Sequence, residues 1–503
     1  NVYNFFSLDG GFGLEKSTKQ VTLSDSEVIS VDMLSVGASD VTAFAGLNGG
    51  KSNAIGLSLS QLSFALALMS DKSNSARKFT ALQATAGSVG FIGVDGITIS
   101  SDTVEVKINQ SNTNDVVDFA TSPLDIVVGT GTTITLDMDG SVGKYLEATG
   151  NFNVNIFNFF SVSGGFAIEK TSDTVTLDDA SDVDVDLLTL GASGVEAFVG
   201  INGGSADALG LAASDVNFAL ALMSDKTEGS SRTWTSLQAT VGSVSFVGIK
   251  DITLIGSNLN VEINRSSTAL YVDYGINDLS VKTGVDSTMA FTMDGSLKEL
   301  TRVSGDLNIH LYNFFSLDGS FAIEKKVTQV TLSDDSVIDV DMLTIGGINV
   351  GAFVGMNGGS SDAFGLTLSD ASFALVLASN QANRDKYTSL QASAQQVSFV
   401  GVDGLTMNAT NLSVAINQNS NESNLVVDYQ KQALDVIVSS SETFTIDIDG
   451  SKGELIQAAG DLEINLFDFF AVNGSFGFEK STQDVTLSDG ETITVDMMTI
   501  GAS

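Results

Sequence analysis

The sequence predicts an all-β chain made of tandem repeats of about 155 residues, and three observations predict it. The segment Asn4-Phe5-Phe6 returns as Asn158-Phe159-Phe160, Asn313-Phe314-Phe315 and Asp468-Phe469-Phe470. Phe44, Phe198 and Phe353 keep the same step, as do Val117-Asp118-Phe119, Val272-Asp273-Tyr274 and Val427-Asp428-Tyr429. Self-similarity at a long fixed period is the mark of a repeat array. The second observation is a hydrophobic period of two, which sets one row of side chains on each face of a strand. The third is punctuation: 50 glycines break the alternating runs, and Pro123 is the only proline. Proline removes a ladder donor, so its near absence fits extended sheet.

The repeat divides the chain into residues 1–150, 151–305 and 306–460, with 461–503 as the start of a fourth copy. The expected reading is a window cut from a longer array. Strand runs recur in each copy. Val104, Val106 and Ile108 alternate with Glu105, Lys107 and Asn109; Leu259, Val261 and Ile263 do the same, and so do Leu412, Val414 and Ile416. Val216, Phe218, Leu220 and Leu222 form another such row. Gly10-Gly11, repeated as Gly164-Gly165, Gly319-Ser320 and Gly474-Ser475, is expected to turn a hairpin. The best helical candidates, Ala206 to Leu209 and Ala76 to Lys78, are short. No linker separates the copies around Lys144 to Phe160. That continuity favours an elongated β-solenoid or superhelical β-sheet rod in which the copies share one core. Tandem β-sandwiches are the alternative.

Composition excludes several functions. Asp+Glu outnumber Lys+Arg by 61 to 23, a net charge of −38, which argues against nucleic acid and against anionic membrane surfaces. Hydrophobic residues at 43% are enough to build a core. Cysteine is absent, so there are no disulfides and no thiolate sites. No apolar run reaches the length of a transmembrane helix, and no membrane insertion is expected.

Candidate sites are few. Asp137-Met138-Asp139-Gly140 and Asp447-Ile448-Asp449-Gly450 place two carboxylates beside a turn, a hard-oxygen set suited to Ca²⁺. The middle copy keeps only Asp294 of this pair, because Thr292 replaces the first carboxylate. The competing reading is a strand end with an Asp-Gly turn. Asp178, Asp179, Asp182, Asp184 and Asp186 form a second acidic cluster, expected to lie on a solvated strand. His310 is the only histidine, so triad and zinc chemistry have no material. No cofactor is required, and Ca²⁺ is the one ion suggested. Tyr3, Phe5, Phe6 and their copies suit core packing, with a sugar-stacking platform as the rival. Trp234, replaced by Phe79 and Tyr387 in the other copies, marks a core slot. Asn109 and Asn264 are glycosylation-type sequons in register.

The tracts Phe246-Val247-Gly248-Ile249, Leu259 to Asn264 and Phe159 to Lys170 resemble those of giant repetitive secreted or surface proteins of bacteria, including adhesin-like proteins. The resemblance implies an extracellular or cell-surface location and a fibre, stalk or spacer role. The expected function is therefore structural and not enzymatic. Partners would be the same long chain, extracellular glycans or divalent cations. A glycan-binding module and a β-helix polysaccharide-processing enzyme are the alternatives.

Overall fold

The computed structural model describes residues 6–421 and 425–503. Tyr3 and Phe5 lie outside the described residues, as does the Phe6 side chain. Twenty long strands belong to one antiparallel sheet, and three two-stranded hairpins stand apart from it. The chain divides into two compact units, residues 1–239 with 264–296, and residues 240–263 with 297–503.

In the first unit the chain runs β1 (Phe6–Thr22), β2 (Val28–Leu47), β3 (Ile55–Asp71), β4 (Lys78–Ile92) and β5 (Ile97–Ser111). The hairpin β6 (Leu124–Gly129) and β7 (Thr132–Leu136) follows, then β8 (Tyr145–Ile156), β9 (Phe160–Thr176), β10 (Asp182–Ile201) and β11 (Leu209–Asp225). Successive long strands pair antiparallel, and β5 pairs directly with β8 across the excursion to the hairpin. After β12 (Thr233–Val247) and β13 (Ile252–Ser266) comes a second hairpin, β14 (Ser280–Lys282) with β15 (Thr288–Ala290).

The second unit repeats the plan. It contains β16 (Leu300–Leu311), β17 (Phe315–Thr331), β18 (Val337–Met356), β19 (Phe364–Asn380), β20 (Lys386–Val400) and β21 (Leu405–Asn419). The hairpin β22 (Leu434–Ile437) and β23 (Thr443–Ile446) precedes β24 (Leu455–Leu466), β25 (Phe470–Thr486) and β26 (Thr492–Ala502). Among the described residues β1 pairs only with β2 and β26 only with β25.

This overturns the solenoid, the rod and the tandem sandwiches. A solenoid would coil, and a sandwich would stack two sheets; here the long strands, of 11 to 20 residues, pair in an antiparallel meander. Among the described residues the buried clusters around the first and third hairpins each stay within one copy. Val31, Met33, Met69, Phe79, Phe119, Ile126 and Leu136 build one cluster around the first hairpin. Val340, Met342, Tyr387, Tyr429, Val436 and Ile446 build an equivalent cluster around the third. Trp234, Phe79 and Tyr387 occupy matching buried positions.

Each hairpin lies on one face of the sheet, called here the capped face. Close approach is made by glycine. A Cβ on Gly37 would meet the Val127 carbonyl at 2.4 Å, one on Gly191 the Lys282 carbonyl at 2.0 Å, and one on Gly346 the Ile437 carbonyl at 2.2 Å. The same glycine recurs in three copies because the hairpin backbone needs that space. The expected turn at Gly10-Gly11 is absent: these glycines lie inside β1 at a bulge between Asp9 and Gly11, and Gly164 and Gly319 sit at matching bulges. The two helical candidates are turns between strands.

Gly191→Val should therefore lift the second hairpin from the sheet. Trp234, 1% exposed in that copy, reports the change. The expected result is a red-shifted emission and a loss of about 1–3 kcal/mol in stability, measured by denaturant titration.

Candidate functional site

The period of two gives the sheet two chemically different faces. In the first unit, Leu14, Val36, Leu66, Leu82, Ile108 and Leu146 stand side by side across six strands. In the second unit, Val303, Ile323, Ile345, Leu375, Leu390, Ile416 and Ile456 form such a row across seven. These rows lie on the face opposite the hairpins, the open face. Among the described residues no other element packs over it. Leu14 is 75% exposed, Leu57 58% and Leu211 49%. A water-soluble protein rarely leaves so extended an apolar surface bare.

On the capped face, beyond the reach of the hairpins, the residues between these rows are mostly polar, with Phe44, Phe198 and Phe353 as one aromatic in each copy. Ser58, Ser88, Ser100, Asn153, Ser161 and Ser163 occupy it in the first unit. Thr367, Ser398, Asn408, Glu463 and Asn473 occupy it in the second. The alternating runs are thus amphipathic in an inverted sense: the apolar row is uncovered and the polar row faces the capped side. The expectation that the apolar row would be core fails for this half of each strand.

The apolar band on the open face has limits. Towards the hairpin end it stops at Leu34, Leu188 and Leu343, each opposite a lysine: Lys16, Lys170 and Lys325. Past that row the open face is polar. Thr18 donates to Asp32 at 2.9 Å, and Thr174 to Asp184 at 2.7 Å. The acidic cluster Asp182, Asp184 and Asp186 is exposed there. At the far end the band stops at Leu47, Ile201 and Met356, followed by polar turns such as Asn48 to Asn53. From Leu34 to Leu47 the strand runs ~43 Å at about 3.3 Å per residue. Tilted by about 45°, that is ~30 Å, the thickness of a bilayer's hydrocarbon core.

The repeated aromatic triplets lie at this far end and are not core. Phe157-Asn158 and Phe467-Asp468 both have positive φ, as a tight hairpin turn of the primed type requires. Phe157 is 62% exposed and Phe469 95%. A bulky residue at positive φ is strained, yet three copies keep an aromatic there.

The carboxylates suggested for Ca²⁺ serve the caps. Asp139, Asp294 and Asp449 accept from the backbone N–H of Ser141, Ser296 and Ser451 at 2.8, 2.8 and 2.9 Å, starting a short 3-10 turn in each copy. Asp447 accepts from Gln391 Nε2 at 2.9 Å, and Thr292 takes the same partner role with Gln238 at 3.2 Å. One hydrogen bond to a glutamine is all the position needs, so threonine can replace aspartate. Asp137 is exposed. Among the described residues no three acidic or histidine groups converge on a metal-sized space. His310 is exposed and contacts Asn308.

The sequence reading missed the clips that hold each cap. Asn109, Asn264 and Asn417 are fully buried and donate to the Val117, Val272 and Val427 carbonyls at 2.8, 2.8 and 2.7 Å. Burial at 1% or less rules out Asn109 and Asn264 as glycan acceptors. The signal was their register, each ending an alternating apolar run. Near the third cap a cavity of about 570 Å³ is lined by Gln391, Ser393, Gln430, Asp447, Lys452 and Gln457. Ala415 and Gln457 border it where the first copy has Lys107 and Glu147 and the second has Glu262 and Arg302. Lys107 pairs with Glu105, and Arg302 bridges Glu262 and Glu324, so paired charges occupy the corresponding positions.

At the hairpin end Asp225 is held well below the usual carboxylate range by hydrogen bonds from Ser230 and Thr227, with Arg232 beside it. Asp71 is lowered likewise, chiefly by Ser73. A depressed carboxylate gives stability that is present above its unfolded pKa and lost as pH falls through the folded one.

No known family matches this chain, and no curated protein matches it. Among solved structures it is similar to the FrpB iron transporter from Neisseria meningitidis (F5-1 variant), at 10% identity, covering 95% of this chain and 71% of that one, with a TM-score of 0.21. The siderophore receptor PirA from Acinetobacter baumannii is similar at 10% identity over 94% and 76%, with a TM-score of 0.19. At such scores the likeness transfers neither fold nor function. The bare apolar face is what overturns the fibre, stalk and matrix role, and with it the exclusion from membranes. A water-filled matrix offers that face nothing. The glycan-binding alternative loses its aromatic platform to the strand turns, and an antiparallel meander has no β-helix coils for a polysaccharide-processing site.

Two outcomes follow. Asn264→Ala should leave the Val272 carbonyl unpaired and cost about 1–3 kcal/mol in thermal or denaturant unfolding. Acidification below about pH 4 should lower the melting temperature, and Asp225→Asn should remove part of that acid dependence while lowering stability at neutral pH.

Proposed function

We propose that this chain is a membrane-spanning β-sheet of the cell surface, with its open face in lipid and its capped face lining an aqueous passage for polar solutes. One observation carries the reading. An apolar band of bilayer height is bounded at both ends by polar residues and backed by a polar row on the opposite face. Membrane β-structures alternate in this way, apolar towards lipid and polar towards the lumen. The free edges of β1 and β26 are then paired in the membrane, since hydrocarbon cannot satisfy backbone N–H and C=O groups. The hairpins stand over the polar lining at one end, overlapping the band as far as Gly37 and Ser39, where they narrow the passage and offer the cavity beside Gln391 and Gln457 as a stopping place. A Ca²⁺ ion at Asp137, Asp139, Asp294, Asp447 or Asp449 is not needed for any of this.

The test is reconstitution of the full chain into phospholipid vesicles loaded with a small polar dye. The expected outcome is carbonate-resistant association, β-type circular dichroism and dye release. Phe64→Arg, on the open face, should weaken insertion by about 2 kcal/mol or more. Ser88→Lys, on the capped face, should insert normally. Release of the chain by carbonate, or equal tolerance of both substitutions, would overturn the proposal.

A further inference from the structure

The boundary of the apolar band carries a charge pattern that the membrane reading does not require. Lys16, Lys170, Lys325 and Lys480 occupy one position of the repeat in all four copies. Each is exposed on the open face, opposite Leu34, Leu188, Leu343 and Met498 respectively. Two residues towards the hairpin end on the partner strand stand Asp32, Asp186, Asp341 and Asp496, also in register. In a chain with only 23 basic residues against 61 acidic ones, a lysine repeated in every copy at one height is a placed charge.

The geometry keeps the two charges apart. Among the described residues none of the four lysines forms an ion pair. The aspartates are held by neutral donors: Thr18 to Asp32 at 2.9 Å, Ser172 to Asp186 at 3.3 Å, Gln381 to Asp341 at 2.8 Å and Thr482 to Asp496 at 3.0 Å. Asp341 also lies 3.7 Å from Arg384. Each copy thus presents a cation at the rim of the apolar band and an anion one step further into water. Lysine's long apolar stem suits that rim, because it can lie on the band while the ammonium reaches its polar edge.

We infer that each Lys–Asp pair is a docking site for the head group of an aminophospholipid, the phosphate on the lysine and the primary ammonium on the aspartate. The order of charges matches: in such a lipid the phosphate lies nearer the hydrocarbon and the ammonium projects towards water. A primary ammonium offers three donors to the carboxylate, whereas a choline ammonium offers none. Within each unit the two pairs stand six strands apart, ~29 Å at about 4.8 Å per strand, so each acts on a separate lipid.

This rests on the membrane reading, and the experiment separates the two. Full-length chain is incubated with vesicles of phosphatidylcholine alone and with vesicles of equal phosphatidylethanolamine and phosphatidylcholine, and the inserted fraction is measured. The expected result is about tenfold stronger partitioning into the mixed vesicles. The quadruple variant D32N/D186N/D341N/D496N should insert into both with the preference gone, which also removes vesicle curvature as the cause. The quadruple variant K16Q/K170Q/K325Q/K480Q should insert more weakly into both. Substituting Lys72 and Lys226, off the row, should change neither. Insertion without a lipid preference, or a preference that survives the aspartate substitutions, overturns the head-group proposal alone. Failure to insert into either vesicle overturns the membrane reading beneath it.

Discussion

The structure depends on where the apolar half of each two-residue alternation ends up. Along β2, positions 29 to 33 bury Ile29, Val31 and Met33 beneath the first hairpin. From Leu34 onward the apolar residues other than Phe44 lie on the other face, and among the described residues no element packs above them. One strand therefore serves two solvents. Its hairpin end is an ordinary protein core, closed by Asn109-type clips and glycine contacts. Its far end is an amphipathic wall whose apolar side has no protein to cover it. Burial of apolar surface contributes about 25 cal/mol per Å², so rows of leucine and isoleucine across six and seven strands represent a large free energy that water leaves unsatisfied. In the proposed reading a bilayer supplies the missing medium.

The division of labour also explains which features repeat and which vary. Gly37, Gly191 and Gly346 repeat because a hairpin backbone rests on each. Asn109, Asn264 and Asn417 repeat because each satisfies a buried carbonyl. The 3-10 turns repeat Asp139, Asp294 and Asp449 as caps, while the neighbouring aspartate becomes Thr292 in the middle copy without loss. The capped-face charges vary most: Lys107 with Glu147, Arg302 with Glu262, then Ala415 with Gln457. The third arrangement borders a cavity, so the copies share a scaffold but not a lining.

Much of the fold was legible in the sequence. The all-β content, the strand runs through Val104 to Ile108 and Leu412 to Ile416, and the slot shared by Phe79, Trp234 and Tyr387 follow from period and register alone. The direction in which the apolar row faces did not. Alternation specifies two faces and is silent about which one meets protein, water or lipid. The missing clue was long range: only pairing β5 with β8 frees residues 112–144 to fold back over one face and so define the other. The aromatic triplets misled for a similar reason. Apolar composition suggested core, yet Phe157 and Asn158 form a tight turn that pushes the neighbouring rings outward. The Asp-x-Asp-Gly motif had the residues of an ion site, but its spacing along an extended strand end aims the second carboxylate at a backbone N–H.

Because the chain has no cysteine, single cysteines can be placed at will along β3 and spin-labelled. Collision rates with oxygen, which dissolves in lipid, and with a water-soluble nickel chelate then show what each side chain touches in vesicles. The account predicts a period of two that changes phase at the bulge around Gln61, with positions 57, 59, 62, 64 and 66 accessible to oxygen and 58 and 63 to the chelate. Equal access of the chelate to both sets would place the open face in water and contradict it.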